Sequence, residues 1–512
     1  MHKKDKHYAL GLAFLFLGVS AFTASHHEMW RDEIQAWLIA RDSGSVFELF
    51  AHLKYEGHPG LWHLCLMPLT RITHSPVIMQ VFHLLIAGIV VYLFVRYAPF
   101  NLLQKFLFCF GYFVLYEYAI LARNYALGLL LIIVFCILFK ARYKRFIWVG
   151  CVLFLLAHTS VHALILTIAI GVALCCEYVC HCCRLNPFIQ EGETTADKRA
   201  VWIGFVLIGI GITTSVLQLN PPPDTGFAVE WKFAYESEEF SKVIHLISRA
   251  FLPIPEFSLN FWNKHQLETY MLFQSIQIPL CCLLMLCGVL LFLKRPTALL
   301  IYLVAMFGLL VFFYIKYYGS MRHHGFLFIT LLMTGWIHKD CSEIDLRSKI
   351  LNELPQRLFS VFFTFIFICH FIGGITATVL EHRHVFSYGK HVAEYISAND
   401  MQDMQMVGEI DYAASTIVGY LKKDEIHYVH GNRPGSFVRW DNVRMPDVDI
   451  PDLQVIEVAN ALRPQTSQDI LIIMNRPLEP ELIAQHNLNL LTEFIGSIVD
   501  DEGFYLYLMP AP

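Results

Sequence analysis

Residues 297–315 read TALLIYLVAMFGLLVFFYI, nineteen consecutive positions without a charge. A helix rising 1.5 Å per residue needs about 20 such residues to cross a hydrocarbon core of ~30 Å. Ten further stretches are predominantly apolar, near 8–24, 76–95, 106–122, 124–139, 146–160, 161–181, 200–218, 270–293, 322–338 and 358–380. The segment 59–70 is too short and too polar to span and is expected to lie as a helix at the interface. The whole chain agrees: of 512 residues, 56% are hydrophobic and 16% charged, against roughly 25% charged in soluble proteins, and the mean hydropathy is +0.50. A soluble fold could not cover so apolar a chain. One soluble domain, a disordered chain and a disulfide scaffold are therefore excluded. A net charge of −5 without a long basic run also argues against a nucleic-acid partner. The expectation is a polytopic α-helical membrane protein with about eleven transmembrane helices, in contact with membrane lipid.

Basic loops orient the spans. Lys3, Lys4 and Lys6 precede the first span and place the N-terminus in the cytoplasm. Each later inward loop is then basic: Arg96 and Lys105; Arg142, Lys144 and Arg145; Arg184, Lys198 and Arg199; Lys294 and Arg295; Lys339, Arg347 and Lys349. Eleven spans put residues 382–512 outside, in the periplasm or its equivalent, and the chain in the inner (plasma) membrane. The first span is read as a retained helix, because Phe22 is a poor residue three positions before a signal-peptide cut after Ala24. None of the 14 cysteines falls in 381–512, as suits an oxidising exterior. Cys175, Cys176, Cys180, Cys182 and Cys183 surround His181, but their spacing fits no zinc pattern well.

Two units result. Residues 1–381 form the membrane unit, with outer loops at about 25–75 and 219–269; residues 382–512 alternate helical pieces (HVAEYISAND, AASTIVGYLKK, PELIAQHNLNLLTEF) with strand-like ones (MQMVGEID, EIHYVHG, DILIIMN, FYLYLM). That alternation predicts an extracytoplasmic α/β domain with a partly parallel sheet. In the first outer loop Trp30, Ile34, Trp37, Leu38 and Arg41 recur at helical spacing and predict an amphipathic helix on the membrane face. The second opens stiffly with QLNPPPDTGF and continues with amphipathic pieces such as EFSKVIHLISRAFL, placed to cover a site between the spans.

Ionisable groups near the outer ends of spans are costly and point to function. They are Asp32 and Glu33; Glu56 and His58 in YEGHPGLW; Arg123, with Tyr125, in LARNYALG; His158 and His162 in AHTSVHAL; and Lys316, Arg322, His323 and His324 in IKYYGSMRHHGF. Each has a bland alternative. Carboxylates in a first helical turn suit the dipole, arginines snorkel to headgroups, and histidines bond at helix ends. Because odd-numbered spans end outside and even-numbered ones begin there, all these groups can converge on one outward cavity.

The stretches RDEIQAWLIARDS and YEGHPGLW, following a first span, make the chain resemble the GT-C superfamily of membrane glycosyltransferases, nearest its protein O-mannosyltransferase and aminoarabinose-transferase branch. The likeness covers mainly residues 1–335. It implies transfer of a sugar from a polyprenyl-phosphate-linked donor to a glycan, lipid or protein acceptor on the outer face. Asp32 falls on the family's catalytic Asp, with Glu33 its motif neighbour and Glu56 on the second-loop carboxylate. That branch has Lys-Pro after its Glu where this chain has Gly-His-Pro, leaving His58 open to substrate or metal binding; no cofactor is certain, and a divalent metal is one option. Sugar transfer itself requires a base for the acceptor hydroxyl, cations for the departing phosphate and an oily groove for the lipid. Asp32 as general base in an inverting displacement, Arg123, Arg322 and His323 on the phosphate, His58, Tyr125 and His162 on substrate, and Phe- and Leu-rich spans around the lipid meet these needs. The rival classes are a transporter, which binds near mid-membrane between repeats, and a non-catalytic lipid- or glycan-binding assembly protein. No repeat is evident, and the charges lie at outer helix ends.

Cysteines introduced into 382–512 are expected to react with a membrane-impermeant thiol reagent in outer-permeabilised, otherwise intact cells. Labelling only after lysis would overturn the orientation.

Overall fold

The computed structural model describes residues 3–183, 197–226, 229–346, 348–444, 450–465 and 468–511. Arg184 and Arg347, used above to orient loops, lie outside the described residues. Seven helices are long and apolar enough to cross a bilayer: Lys6–Ala24, Val77–Tyr97, Val161–Cys182, Lys198–Leu219, Met271–Phe292, Pro296–Ile315 and Leu351–Glu381. The remaining four of the eleven expected spans are not single helices of that length. The stretches 124–139 and 146–160 are two helices as expected, but each is short, and Tyr125–Phe139 and Arg142–Ala157 are bent 117° at the break between them. The stretch near 322–338 is a helix of 17 residues, Met321–Ile337, buried along its whole length. The stretch 106–122 is no continuous helix: Leu102–Cys109 gives way to one π turn, Tyr112–Glu117, and then to irregular chain.

Hydropathy cannot separate lipid-facing apolar residues from protein-facing ones. Residues 107–126 are buried throughout, and irregular backbone at membrane depth is tolerated where protein surrounds it. Gly373 and Gly374 make room for it. A Cβ on Gly374 would collide with the Phe110 carbonyl oxygen, so no larger residue lets this backbone approach.

The first outer loop folds into helices Arg31–Arg41, Val46–Leu53 and Leu61–Thr70. The helix Arg31–Arg41 does not lie on the membrane face. Every residue from Glu33 to Arg41 is buried, because the C-terminal domain covers the side that was expected to face outward. Ile34 packs on Gly419 of the helix Asp411–Leu421. In the second loop the helix Ser237–Phe251 buries Val243, Leu246, Ile247, Ala250 and Phe251 and leaves its acidic start exposed.

The C-terminal region carries a six-stranded sheet, β1 (Gln405–Gly408), β2 (Ile426–Tyr428), β3 (Arg433–Gly435), β4 (Ile470–Met474), β5 (Asn489–Phe494) and β6 (Phe504–Met509), in the order β3-β2-β1-β4-β6-β5. β1 runs parallel to β2 and β4, and the other pairs are antiparallel. The partly parallel sheet matches expectation, and β4, buried at all five positions, is its centre. The piece PELIAQHNLNLLTEF is helical only over Pro480–Gln485; Asn487, at φ 51°, turns the chain into β5. The helix Asp452–Leu462 was not foreseen.

Helices Phe146–Ala157 and Lys198–Leu219 touch backbone to backbone at Gly150 and Gly204, where a Cβ on Gly204 would run into the Phe146 ring. Such small-residue contacts set helix approach in membranes. Gly204→Val should destabilise the detergent-solubilised protein by ~1–3 kcal/mol, read as a lower Tm. Gly209→Val, with no atom within 4 Å of its Cβ, should leave Tm unchanged.

Candidate active site

The site is built on a buried chain of charges. Glu33 Oε2 lies 2.9 Å from His27 Nε2, His27 Nδ1 lies 2.7 Å from Glu381 Oε1, and Tyr116 donates to Glu381 Oε2 at 2.6 Å. The side chains of His27, Glu33 and Glu381 have no exposure. Burial works against a charged imidazole, but Glu33 and Glu381 on either side push its pKa up to about 10. Glu33 also accepts from the backbone N–H of Ala122 at 2.6 Å and of Trp30 at 3.2 Å. Both its oxygens are thus engaged, and it welds the start of the first-loop helix to the chain entering Arg123.

That weld brings Asp32 to Arg123 and Arg322. Asp32 Oδ2 accepts from Arg322 Nη2 at 3.0 Å and lies 3.4 Å from Arg123 Nη1, which also donates to the Asp32 carbonyl oxygen. The Arg322 guanidinium is placed by aromatic faces, its carbon 5.3 Å from the Trp30 ring and 5.4 Å from the Trp262 ring. The two arginine side chains are 10% exposed and Asp32 29%, so the carboxylate is the accessible member. Burial alone would raise the Asp32 pKa; Arg123, Arg322 and Arg31 outweigh it and hold the group below the ordinary carboxylate range.

Beside Asp32 opens a small pocket with a cavity volume of about 20 Å³, lined by Asp32, Glu56, His58, Trp62, Arg123 and Asn124 among others. Glu56 Oε1 accepts from Gln35 Nε2 at 2.8 Å, and burial pushes its pKa up to about 7 against the pull of Gln35 and Arg123. Burial and Arg123 push His58 down to about 3, so its ring is neutral. Its Nε2, 3.4 Å from Arg123 Nη2, is then the acceptor, and the ring proton sits on Nδ1.

The other expected residues stand apart from this pocket. His323 accepts from the Ser320 N–H at 2.9 Å through Nδ1 and pairs with the Tyr125 hydroxyl at 2.8 Å through Nε2. It caps its own helix, and both nitrogens are used. His162 stacks on His323 at 4.9 Å among Phe312, Phe313 and Phe326; neither of its nitrogens has a hydrogen-bond partner among the described residues. His158 bonds the Phe154 carbonyl and Thr214, and Lys316 bonds the Val229 carbonyl. Among the described residues no three His, Cys, Asp or Glu side chains gather as a metal-ion site. Two guanidiniums already neutralise Asp32, so this donor set does not fit a divalent cation.

Several residues at the site escaped the sequence reading. Trp262 gave no signal. Arg31 ties the loop to the C-terminal domain through Asp501 at 2.5 Å and through its N–H to Glu502 at 3.0 Å. Gln35 had a legible signal, since three residues beyond Asp32 it shares a helix face with it.

No family model matches the chain, and no curated protein does. The chain is similar to the crystal structure of ArnT from Cupriavidus metallidurans in the apo state, at 12% identity over 98% of each chain, with a TM-score of 0.47. Identity this low and superposition this loose leave function to be argued from the site's own chemistry.

The cation on His27 yields a pH signature. Its pKa is raised on folding, so its stabilisation is complete below the unfolded value near 6.5 and is lost as pH rises through about 10. The Tm gap between the wild type and His27→Gln should narrow from pH 6.5 to 10 in thermal unfolding. A gap that widens with pH would contradict the buried cation.

Proposed function

We propose that this protein is a GT-C-type membrane glycosyltransferase that moves a sugar from a polyprenyl-phosphate-linked donor to an acceptor hydroxyl on the outer face of the membrane, with inversion. The observation that carries the reading is the carboxylate of Asp32 held between Arg123 and Arg322, all three at the outer ends of expected spans, where a lipid-borne phosphate has its charge. The family resemblance of RDEIQAWLIARDS and YEGHPGLW supports it. A transporter would place its charges nearer mid-membrane.

In the proposed reaction the acceptor oxygen attacks the anomeric carbon and gives its proton to Asp32. The bond from that carbon to the phosphate oxygen breaks, and polyprenyl phosphate leaves with the electron pair. Without donor, the two guanidiniums neutralise Asp32 and keep it a weak base. A bound phosphate competes for the same cations. Its negative charge then raises the Asp32 pKa, so the base strengthens when the donor is in place. Glu56 lines the same pocket as Asp32, and Glu33 acts through position alone. The membrane unit, residues 1–381, carries the chemistry, and residues 382–512 lie on the periplasmic side over it.

Asp32→Asn keeps the size of the side chain and removes the proton acceptor. It should lower transfer from a radiolabelled polyprenyl-phosphate sugar by about 10²–10⁴-fold, with expression intact. Arg123→Lys should weaken donor use although charge is kept, because Lys cannot grip phosphate through two parallel bonds. Arg123→Ala should cost more, in turnover as well as in donor affinity. Near-normal turnover in Asp32→Asn would remove the reading.

A further inference from the structure

The segment 436–442 of the C-terminal region is wedged between the two outer loops. Ser436 donates to Asp42 at 2.5 Å, the Gly226 N–H to the Trp440 carbonyl at 2.9 Å, and the Asn442 N–H to the Asp224 carbonyl at 2.7 Å. At its centre Val438 meets Gln35. The Val438 N–H donates to Gln35 Oε1 at 2.9 Å, and Gln35 Nε2 donates to the Val438 carbonyl at 2.8 Å and to Glu56 Oε1 at 2.8 Å. A side-chain amide has two donor hydrogens, and both are spent here. The backbone decides which way the amide points: the Val438 N–H can meet only the oxygen, so the NH₂ group must face Glu56. Gln35 is 8% exposed, and water does not compete freely for these bonds.

We propose that Gln35 is a positioning residue: pinned by the Val438 backbone, it holds the Glu56 carboxylate beside Asp32, so that the C-terminal domain completes the active pocket. This role rests on the transfer reaction above. The groups facing Glu56 come from every element around it. Asp32 and Gln35 come from its neighbouring helix and Arg123 from the chain before Tyr125, while His58 belongs to its own loop and His63 to the helix Leu61–Thr70. Beyond them, Tyr55 is bonded to Asp224 at 2.6 Å and sits 5.9 Å from the Arg439 guanidinium. Of these, Gln35 alone gives Glu56 a neutral donor whose direction is set from outside the membrane unit. Losing that donor leaves Arg123 alone to oppose burial and delays ionisation of Glu56 to higher pH.

Gln35→Met keeps the length and removes every polar contact. Full-length protein should show transfer lowered about tenfold at pH 7, with donor KM within about twofold, and the deficit should shrink to under about threefold at pH 9. Val438→Pro deletes the backbone donor and leaves Gln35 in place; it should shift the pH profile the same way, less far. In a Glu56→Gln background, Gln35→Met should cost nothing further. A deficit equal at all pH values, or losses that multiply in the double variant, would overturn the positioning role while leaving Asp32→Asn inactive. Absence of transfer by the wild type would overturn the transfer reading itself, and this role with it.

Discussion

A positive charge on His27, enclosed between the carboxylates of Glu33 and Glu381, fixes where the first outer loop can lie. Three ionisable groups without solvent carry a large desolvation cost, and only tight reciprocal hydrogen bonding offsets it. The geometry that achieves this joins three distant stretches of the chain: the end of the first helix, the end of the last apolar helix, and the irregular segment before Arg123. Once Glu33 is held by the Ala122 N–H, its neighbour Asp32 projects to the other side, where Arg123 and Arg322 wait.

The division of labour between Asp32 and Glu33 thus follows from helix geometry. Adjacent residues point about 100° apart, so one can be buried in a structural network while the other reaches a pocket. The arginines around Asp32 are themselves constrained. Arg322 lies against Trp30 and Trp262, which belong to different outer loops, and Trp262 further donates to Glu117 at 3.1 Å. The guanidinium is pre-placed by these aromatic surfaces.

The C-terminal region closes the other side of the first-loop helix. Met29 donates through its N–H to Tyr420 at 2.7 Å, and the Phe386 N–H donates to Glu28 at 3.1 Å. Together with Arg31 and Gln35 these bonds cover the helix Arg31–Arg41 with the C-terminal region, which is why a helix patterned for an interface has no exposed face. Burial on that side also raises Glu56 and depresses His58, giving the pocket a neutral imidazole beside two carboxylates of unlike acidity.

The apolar runs, the basic loops and the alternation in 382–512 determined the class of fold from sequence alone, because hydropathy and periodicity are properties of short segments. The same locality misled at 106–122, where the buried residues around Glu117 face protein rather than lipid, and hydropathy does not distinguish the two. Asp32, Glu56, Arg123 and Arg322 were legible as charges beside apolar runs, where a charge has few reasons to be. That Glu33 is held by the Ala122 N–H, that His323 pairs with Tyr125, and that Gln35 links Val438 to Glu56 depended on contacts across 89, 198 and 403 residues of chain. A hydrogen bond is directional and short, so no pattern along the chain specifies its partner. Only the packing of the two outer loops and the C-terminal domain around one helix brought those atoms within reach.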